Sequence, residues 1–361
     1  RDPLPNGEVV ELIDRHGTFL AYAFHSARSH IAARVVSLKR QEPMDRALLS
    51  RRLNAAISLR AGVSETNAKR LVFSEADGLP GLIVDQYAGV LVVQIRAAGM
   101  EPWRAAIVEI LGDLLHPEGV LERSDKEFRE EEGLLPITQV LAGTVPDRVR
   151  IHEDGLQFWV DVHHGQKTVF YLDQRDTRRR IRELIQAVMR GADVFAYTGA
   201  FGIGAASRGA HVVCVEQQEP FLALAKEHAA LNGVDDRMEC VAGDAFYWLE
   251  AAGQTRDRFD WVFLDPPALA KSKAETSKGR HALHHLLIHA LGLLKPNGTL
   301  VLSVCTYHLL GLMEEIVRIA AAERGMRLRV RGVSMQAGDH PWIVQMPMTR
   351  YLMSWLVQHD E

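Results

Sequence analysis

Beyond residue 178 the chain alternates between two rhythms of apolar and polar positions. Compact apolar runs at 192–196, 211–215, 238–242, 261–264 and 299–304 have the length of buried strands. Residues 203–208, 220–232, 245–252 and 281–294, which fall between them, read as helices. Strand and helix in alternation predict right-handed βαβ units, hence a doubly wound parallel sheet with helices on both faces.

The earlier part of the chain is patterned differently. Residues 8–13, 19–24 and 31–36 are short strand-like runs with turns between them, which predict a small barrel or sheet of the kind that docks. Residues 45–61 turn helical, with Leu48, Leu49, Leu53 and Ile57 at three- and four-residue steps. Strands at 70–73, 82–87, 90–95 and 119–123 follow, with a turn at Gly78-Leu79-Pro80-Gly81 and an amphipathic helix at 103–115. A hairpin signal at Glu153-Asp154-Gly155 then precedes the wound sheet. The expected fold is α/β: a small β-rich domain at 1–42, a central α+β domain at 43–147 and the doubly wound sheet at 148–361.

Composition narrows the class only a little. With 361 residues, 47% hydrophobic and 24% charged, the chain resembles an ordinary globular protein, which excludes fibrous and broadly disordered classes. Its net charge of −4 means that affinity for nucleic acid has to come from local basic patches. Cys214, Cys240 and Cys305 lie far apart and make no disulfide framework, so a reducing cytoplasm is expected. No apolar run approaches the ~18–20 residues of a membrane helix, and no basic-then-apolar leader opens the chain. It begins at Arg1-Asp2-Pro3 without a Met, and the first domain is expected to be N-terminally incomplete.

In a doubly wound sheet the ligand lies beyond the carboxyl ends of the strands. The first strand runs into Tyr197-Thr198-Gly199-Ala200-Phe201-Gly202-Ile203-Gly204, a glycine-rich turn that lets backbone approach a ligand closely. Its order is G-x-x-G-x-G, where a dinucleotide loop reads G-x-G-x-x-G; a plain strand-to-helix turn is the bland alternative. Glu216 ends the second strand, where an acid accepts both ribose hydroxyls of a nucleoside cofactor. Asp244, just before Ala245, is placed to accept from an adenine amino group, to cap the next helix, or both. The fourth strand ends in Asp265-Pro266-Pro267, a stiffened loop whose acid is well placed to hydrogen-bond a base. The fifth delivers Cys305 to the same rim. A buried cysteine is usually a small hydrophobe. Across from an Asp-Pro-Pro loop, a nucleophile is the better reading, and methyl transfer to carbon 5 of cytosine needs one, because that carbon is unreactive until a thiolate adds at carbon 6.

These residues resemble the class I S-adenosylmethionine-dependent methyltransferases. More specifically, the chain is similar to the RlmI-like bacterial 23S rRNA 5-methylcytosine methyltransferases, which carry an N-terminal PUA RNA-binding domain. Matching stretches run in order through Glu75-Ala76-Asp77-Gly78-Leu79-Pro80-Gly81-Leu82-Ile83-Val84-Asp85, Arg123-Ser124-Asp125 and His164-Gly165-Gln166-Lys167-Thr168. They continue with Tyr171-Leu172-Asp173-Gln174-Arg175, Tyr197-Thr198-Gly199, Asp265-Pro266-Pro267, Lys273, Cys305 and Asp339-His340-Pro341. The resemblance implies a PUA-like domain, a central domain and a Rossmann-like methyltransferase domain. It implies S-adenosylmethionine as cofactor, covered by the segment that includes Lys167, Tyr171, Asp173, Gln174 and Arg175. Thr198, Gly199, Phe201, Glu216, Asp244, Ala245 and Asp265 complete the cofactor set, Cys305 and Asp265 the catalytic one. Pro266, Pro267, Lys271, Lys273 and His340 are expected on the RNA side. The expected partners are 23S rRNA or a large-subunit precursor and a second copy of the chain, with no membrane and no metal. The pattern departs at Ala268 and Leu269, where a basic-aromatic pair is usual, and at Val304-Cys305-Thr306, where Ser-Cys-Ser is usual.

Other clusters have plainer readings. Arg175, Arg178, Arg179 and Arg182 share a helix face that is either solvated or touches phosphate. Lys271, Lys273, Lys278 and Arg280 read as a mobile flap for RNA. His281, His284, His285 and His289 fall at near-turn spacing, but no cysteine or carboxylate pattern joins them in sequence, so no metal site is expected. Methylation of a base nitrogen is a second reading, opposed by Ala268, which stands where such enzymes place a stacking aromatic. A non-catalytic RNA-binding or ribosome-assembly protein is a third, opposed by Glu216, Asp265 and Cys305.

Overall fold

The computed structural model describes residues 4–124, 129–163 and 170–360. They form two compact units, one from Arg1–Gly155, Trp159–Leu172 and Gly338–Thr349, the other from Leu156–Phe158, Asp173–Ala337 and Arg350–Glu361. Among the described residues no helix is long and apolar enough to cross a membrane.

The first unit opens with β1 (Val9–Ile13), β2 (Phe19–His25) and β3 (Ala33–Ser37), an antiparallel sheet in that order. Helix Arg46–Leu59 follows, capped by Asp45, whose side chain accepts from Leu48 N. A five-stranded sheet comes next: β4 (Ala68–Phe73), β5 (Leu82–Tyr87), β6 (Val90–Ile95), β7 (Gly119–Ser124) and β8 (Ile137–Gly143), ordered as numbered. β6 and β7 are parallel because helix Arg104–Leu115 carries the chain between them, and the other pairs are antiparallel. Leu49, Leu53, Val84, Val93, Ile107 and Leu111 join helices and sheet in one core. The sequence pattern did not reveal β8, whose residues are mostly exposed and lack a clean alternation.

The Glu75–Asp85 stretch proves structural in this unit. Asp77 takes both Arg60 guanidinium nitrogens at 2.6 and 2.7 Å, and Asp85 takes Arg70 in the same forked way at 2.8 Å. Such bidentate pairing is what makes a buried charge tolerable. β9 (Arg148–Glu153) and β10 (Leu156–Asp161) then pair as a two-stranded sheet.

The second unit is built on β11 (Arg190–Val194), β12 (His211–Glu216), β13 (Met238–Ala242), β14 (Phe259–Leu264), β15 (Leu294–Val304), β16 (Arg327–Met335) and β17 (Met353–Asp360). Their order in the sheet is β13-β12-β11-β14-β15-β17-β16. The first five are parallel, whereas β17 runs antiparallel to both β15 and β16. The five strands read from the sequence are the parallel ones; β16 and β17 are not among them. There the chain alternates charged and apolar residues, as in Arg327-Leu328-Arg329-Val330-Arg331, the pattern of an antiparallel strand wet on one side. Helices pack on the sheet through Leu283, Leu287, Leu291, Ile316 and Ala320, which meet Val194, Val262, Leu264 and Leu302. The chain order reverses direction between β11 and β14, which puts the ligand crevice at their carboxyl ends.

Candidate active site

The turn after β11 is held in an unusual backbone conformation. Phe195 and Tyr197 have φ of 66° and 50°, and Gly199 has φ of 76° at the start of helix Ala200–Ala206. Left-handed backbone at two non-glycine residues persists only where neighbours fix it, and such strain gathers at functional sites. Here Tyr197 N donates to Glu216 Oε2 at 2.9 Å, Gly202 N donates to Asp193 Oδ2 at 2.9 Å, and Thr198 O lies 3.0 Å from His228 Nδ1. A Cβ at Gly202 would stand 2.6 Å from Cys214 Sγ, so only glycine fits that close approach.

Asp193 sits wholly buried in β11 beneath this turn. Burial pushes its carboxyl up to about 8; Gly202 N–H opposes the shift, and the charges of Asp265 and Glu216 add to it. The folded chain therefore holds a proton that the unfolded chain loses near the ordinary value of 3.8. That contribution to stability is complete below pH 3.8 and is lost as pH rises through about 8. Asp193→Asn is expected to flatten this fall, as measured by denaturant unfolding between mildly acid and mildly alkaline pH.

Glu216 ends β12 with Oε1 accepting from Gln218 N at 2.9 Å, so both its oxygens are oriented by backbone donors. Asp244 Oδ1 accepts from Phe246 N (2.8 Å) and Tyr247 N (3.2 Å), capping helix Ala245–Gly253 and leaving Oδ2 outside the cap. Ala245 is buried as the first helical residue.

β14 and β15 are parallel neighbours, so Asp265 and Cys305 leave adjacent strands at the same end of the sheet. Cys305 Sγ donates to Pro266 O at 3.6 Å, and Thr306 Oγ1 donates to Ala270 O at 2.5 Å, tying the cysteine to the Asp-Pro-Pro loop. Gln174 Nε2 donates to Asp265 Oδ2 at 3.0 Å. Asp265 keeps a solvent-facing edge, yet protein surrounds its carboxyl. That desolvation, with the charge of Asp173, pushes it up to about 7 against the Gln174 bond and the charge of Arg178. Tyr351 Oη donates to Asp173 Oδ2 at 2.6 Å.

The donor set fits a cationic nucleoside cofactor. Among the described residues, Asp173 Oδ1 and Gln174 Oε1 are buried acceptors that meet no hydrogen-bond donor, which suits an ammonium group. Asp173 and Glu216 are acidic, and Glu216 and Asp244 Oδ2 are placed where ribose hydroxyls and an adenine amino group are expected. Glu216→Ala is expected to weaken S-adenosylhomocysteine binding by about 10–100-fold, the worth of one hydrogen bond to a charged group. Calorimetry showing unchanged affinity would remove Glu216 from the site.

Other expected residues fall elsewhere. Lys167, Asp125 and the stretch His164-Gly165-Gln166-Lys167-Thr168 lie outside the described residues, and Tyr171 is half-buried in the first unit. Phe201 stacks on Phe263 with centroids 3.7 Å apart, beneath the Arg178 guanidinium, so its ring packs on the sheet. Arg175 and Arg178 are buried, unlike the solvated face one reading of that helix gave. His340 is buried in the first unit, 3.0 Å from Asp339 Oδ1 and against the Phe73 ring. Pro266 is buried and Pro267 exposed; Lys271 and Lys273 are exposed. The expected flap is short, because helix Thr276–Gly292 already includes Lys278 and Arg280. Sequence reasoning missed Asp193, His228 and Tyr351. Only Asp193 left a trace, as a lone charge inside an apolar strand.

Five parallel strands closed by an antiparallel pair, with Glu216, Asp244 and Asp265 at successive strand ends, define an S-adenosylmethionine-dependent methyltransferase fold. Residues 1–38 match the PUA-like domain, and residues 173–313 match a family described as conserved hypothetical protein 95. The chain belongs to the ribosomal RNA large subunit methyltransferase I family. It is 36% identical over 359 residues to the member from Alteromonas mediterranea, covering 96% of this chain and 88% of that one. The member from Aeromonas salmonicida is also 36% identical, with 98% and 91% covered. Among solved structures, a candidate methyltransferase with bound S-adenosylhomocysteine superposes with a TM-score of 0.85 at 21% identity, over 99% of this chain and 93% of that one. A tRNA m1G37 methyltransferase from M. jannaschii gives a TM-score of 0.56 at 14% identity, over 84% and 78%.

Proposed function

We propose that the chain methylates carbon 5 of a cytosine in 23S rRNA, with Cys305 as covalent nucleophile. The observation that carries this reading is the placement of Cys305 and Asp265 at the same end of adjacent strands, with Cys305 Sγ 3.6 Å from Pro266 O. Cys305, as thiolate, adds to carbon 6 of the ring. Asp265, protonated, donates its proton to the ring nitrogen as electron density moves there, which makes carbon 5 enamine-like. S-adenosylmethionine, when bound, supplies an electrophilic methyl group and leaves as S-adenosylhomocysteine. Loss of the carbon-5 proton to solvent, expulsion of the Cys305 thiolate and return of the ring-nitrogen proton to Asp265 then restore the aromatic ring.

Glu216, Asp244, Asp173 and Gln174 hold the cofactor in this reading, and Arg175, Thr198, Gly199 and Ala245 shape its pocket. Pro267, Lys271 and Lys273 face the RNA, and buried Pro266 fixes the loop that presents them. The domain divisions 1–42, 43–147 and 148–361 go with it, as does a cytoplasmic location, where rRNA is made. The nitrogen-directed alternative is disfavoured by Ala268, which offers no ring to stack the base.

The test is direct. The full chain is incubated with S-adenosylmethionine and 23S rRNA from cells lacking it, and nucleosides are resolved by mass spectrometry. 5-Methylcytidine is the expected product; a nitrogen-methylated nucleoside, or no methylation, contradicts the proposal.

A further inference from the structure

Away from the strand ends, the fold assembles a cluster whose sequence showed only half of it. His285 and His289 stand one turn apart on helix Thr276–Gly292 and share a face, with ring centroids 4.7 Å apart. Glu250, on helix Ala245–Gly253, brings Oε1 to 2.9 Å from His285 Nε2. One donor atom from each of the three lies within 4.8 Å of the others. Glu250 and His289 are half-buried and His285 is exposed, so the cluster opens to solvent. The carboxylate that the histidines lack in sequence is supplied by a neighbouring helix.

We propose that Glu250, His285 and His289 form a binding site for a divalent cation of the zinc type. Two imidazoles and one carboxylate are a zinc donor set, with water as fourth ligand; magnesium and calcium favour all-oxygen shells. Bond lengths of about 2.0–2.2 Å in a tetrahedron need donor atoms roughly 3.3 Å apart. The donor atoms, up to 4.8 Å apart, have to draw closer by side-chain rotation to reach that spacing. The Phe246 ring lies 6.0 Å from that of His285 and flanks the cluster with apolar surface. The ion would tie together two helices that cover one face of the sheet. Its role is structural, since Asp265 and Cys305 stand at the strand ends and not on these helix flanks.

The experiment uses untagged full-length chain and zinc chloride, read by calorimetry and by thermal unfolding. One ion per chain is expected, with the unfolding midpoint rising as zinc is added. Glu250→Ala, His285→Ala and His289→Ala are each expected to lower zinc affinity at least about tenfold, since loss even of a residue behind the ligands costs that much. Unchanged S-adenosylhomocysteine affinity in each variant confirms that it is folded. Cobalt chloride in place of zinc is expected to give visible absorption typical of tetrahedral coordination. The proposal is overturned if the wild-type chain shows no saturable zinc binding, or if folded variants bind zinc as the wild type does.

Discussion

Cys305→Ala is expected to lower methyl transfer by at least about 10³-fold while S-adenosylhomocysteine affinity stays nearly unchanged. Carbon 5 of cytosine carries too little electron density to take a methyl group until a nucleophile adds at carbon 6, and alanine offers none. The residues proposed to hold the cofactor lie on other elements: Glu216 at the end of β12, Asp244 before helix Ala245–Gly253, and Asp173 and Gln174 in the turn Leu172–Gln174. None of the hydrogen bonds described for those residues involves the sulfur, which donates to Pro266 O. Cys305→Ser separates chemistry from shape. Serine keeps a donor toward Pro266 O but is a far weaker nucleophile without an adjacent base, so it too should be inactive. Either variant methylating RNA at the wild-type rate refutes the assignment.

Asp265→Asn should cost about 10²–10⁴-fold in turnover, the usual contribution of a positioned general acid. The carboxyl, pushed up to about 7 chiefly by burial, remains protonated in a large share of molecules near neutral pH. A carboxylic acid that keeps its proton can pass it to the ring nitrogen; asparagine hydrogen-bonds the same atom and transfers nothing. The sign of the pH effect follows. Ionisation above about 7 removes the donor, so kcat/KM should fall as pH rises through that value. Asp265→Asn should lose that descending limb together with its rate. A variant that keeps both wild-type rate and limb would show that Asp265 gives up no proton.

The parts of the fold legible in the sequence share one physical property. β12, β14 and the second half of β15 are almost wholly buried, so each is a nearly contiguous apolar run that stops at a polar or strand-breaking residue, and Glu216 and Asp265 are such stops. β8 and β16 expose much of their length to water, and their alternating or charged residues resemble loop sequence. Side-chain direction was less legible than position. Arg175 and Arg178 share a polar helix face in the sequence, yet the fold buries both, with Arg178 over the Phe201 ring. His340 reads as a loop histidine and is enclosed beside Asp339 and Phe73. Glu250 and the paired histidines belong to different helices, and only packing makes them neighbours.

Covalent attack by Cys305 is tested most directly with RNA carrying 5-fluorocytidine at the target position. Fluorine at carbon 5 cannot leave as a proton, so ring restoration stops after methyl transfer and the enzyme stays attached. Peptide mapping of the trapped complex by mass spectrometry is predicted to find the methylated fluoropyrimidine on Cys305. Release of free methylated RNA from the fluorinated substrate, or an adduct on any other residue, would contradict it.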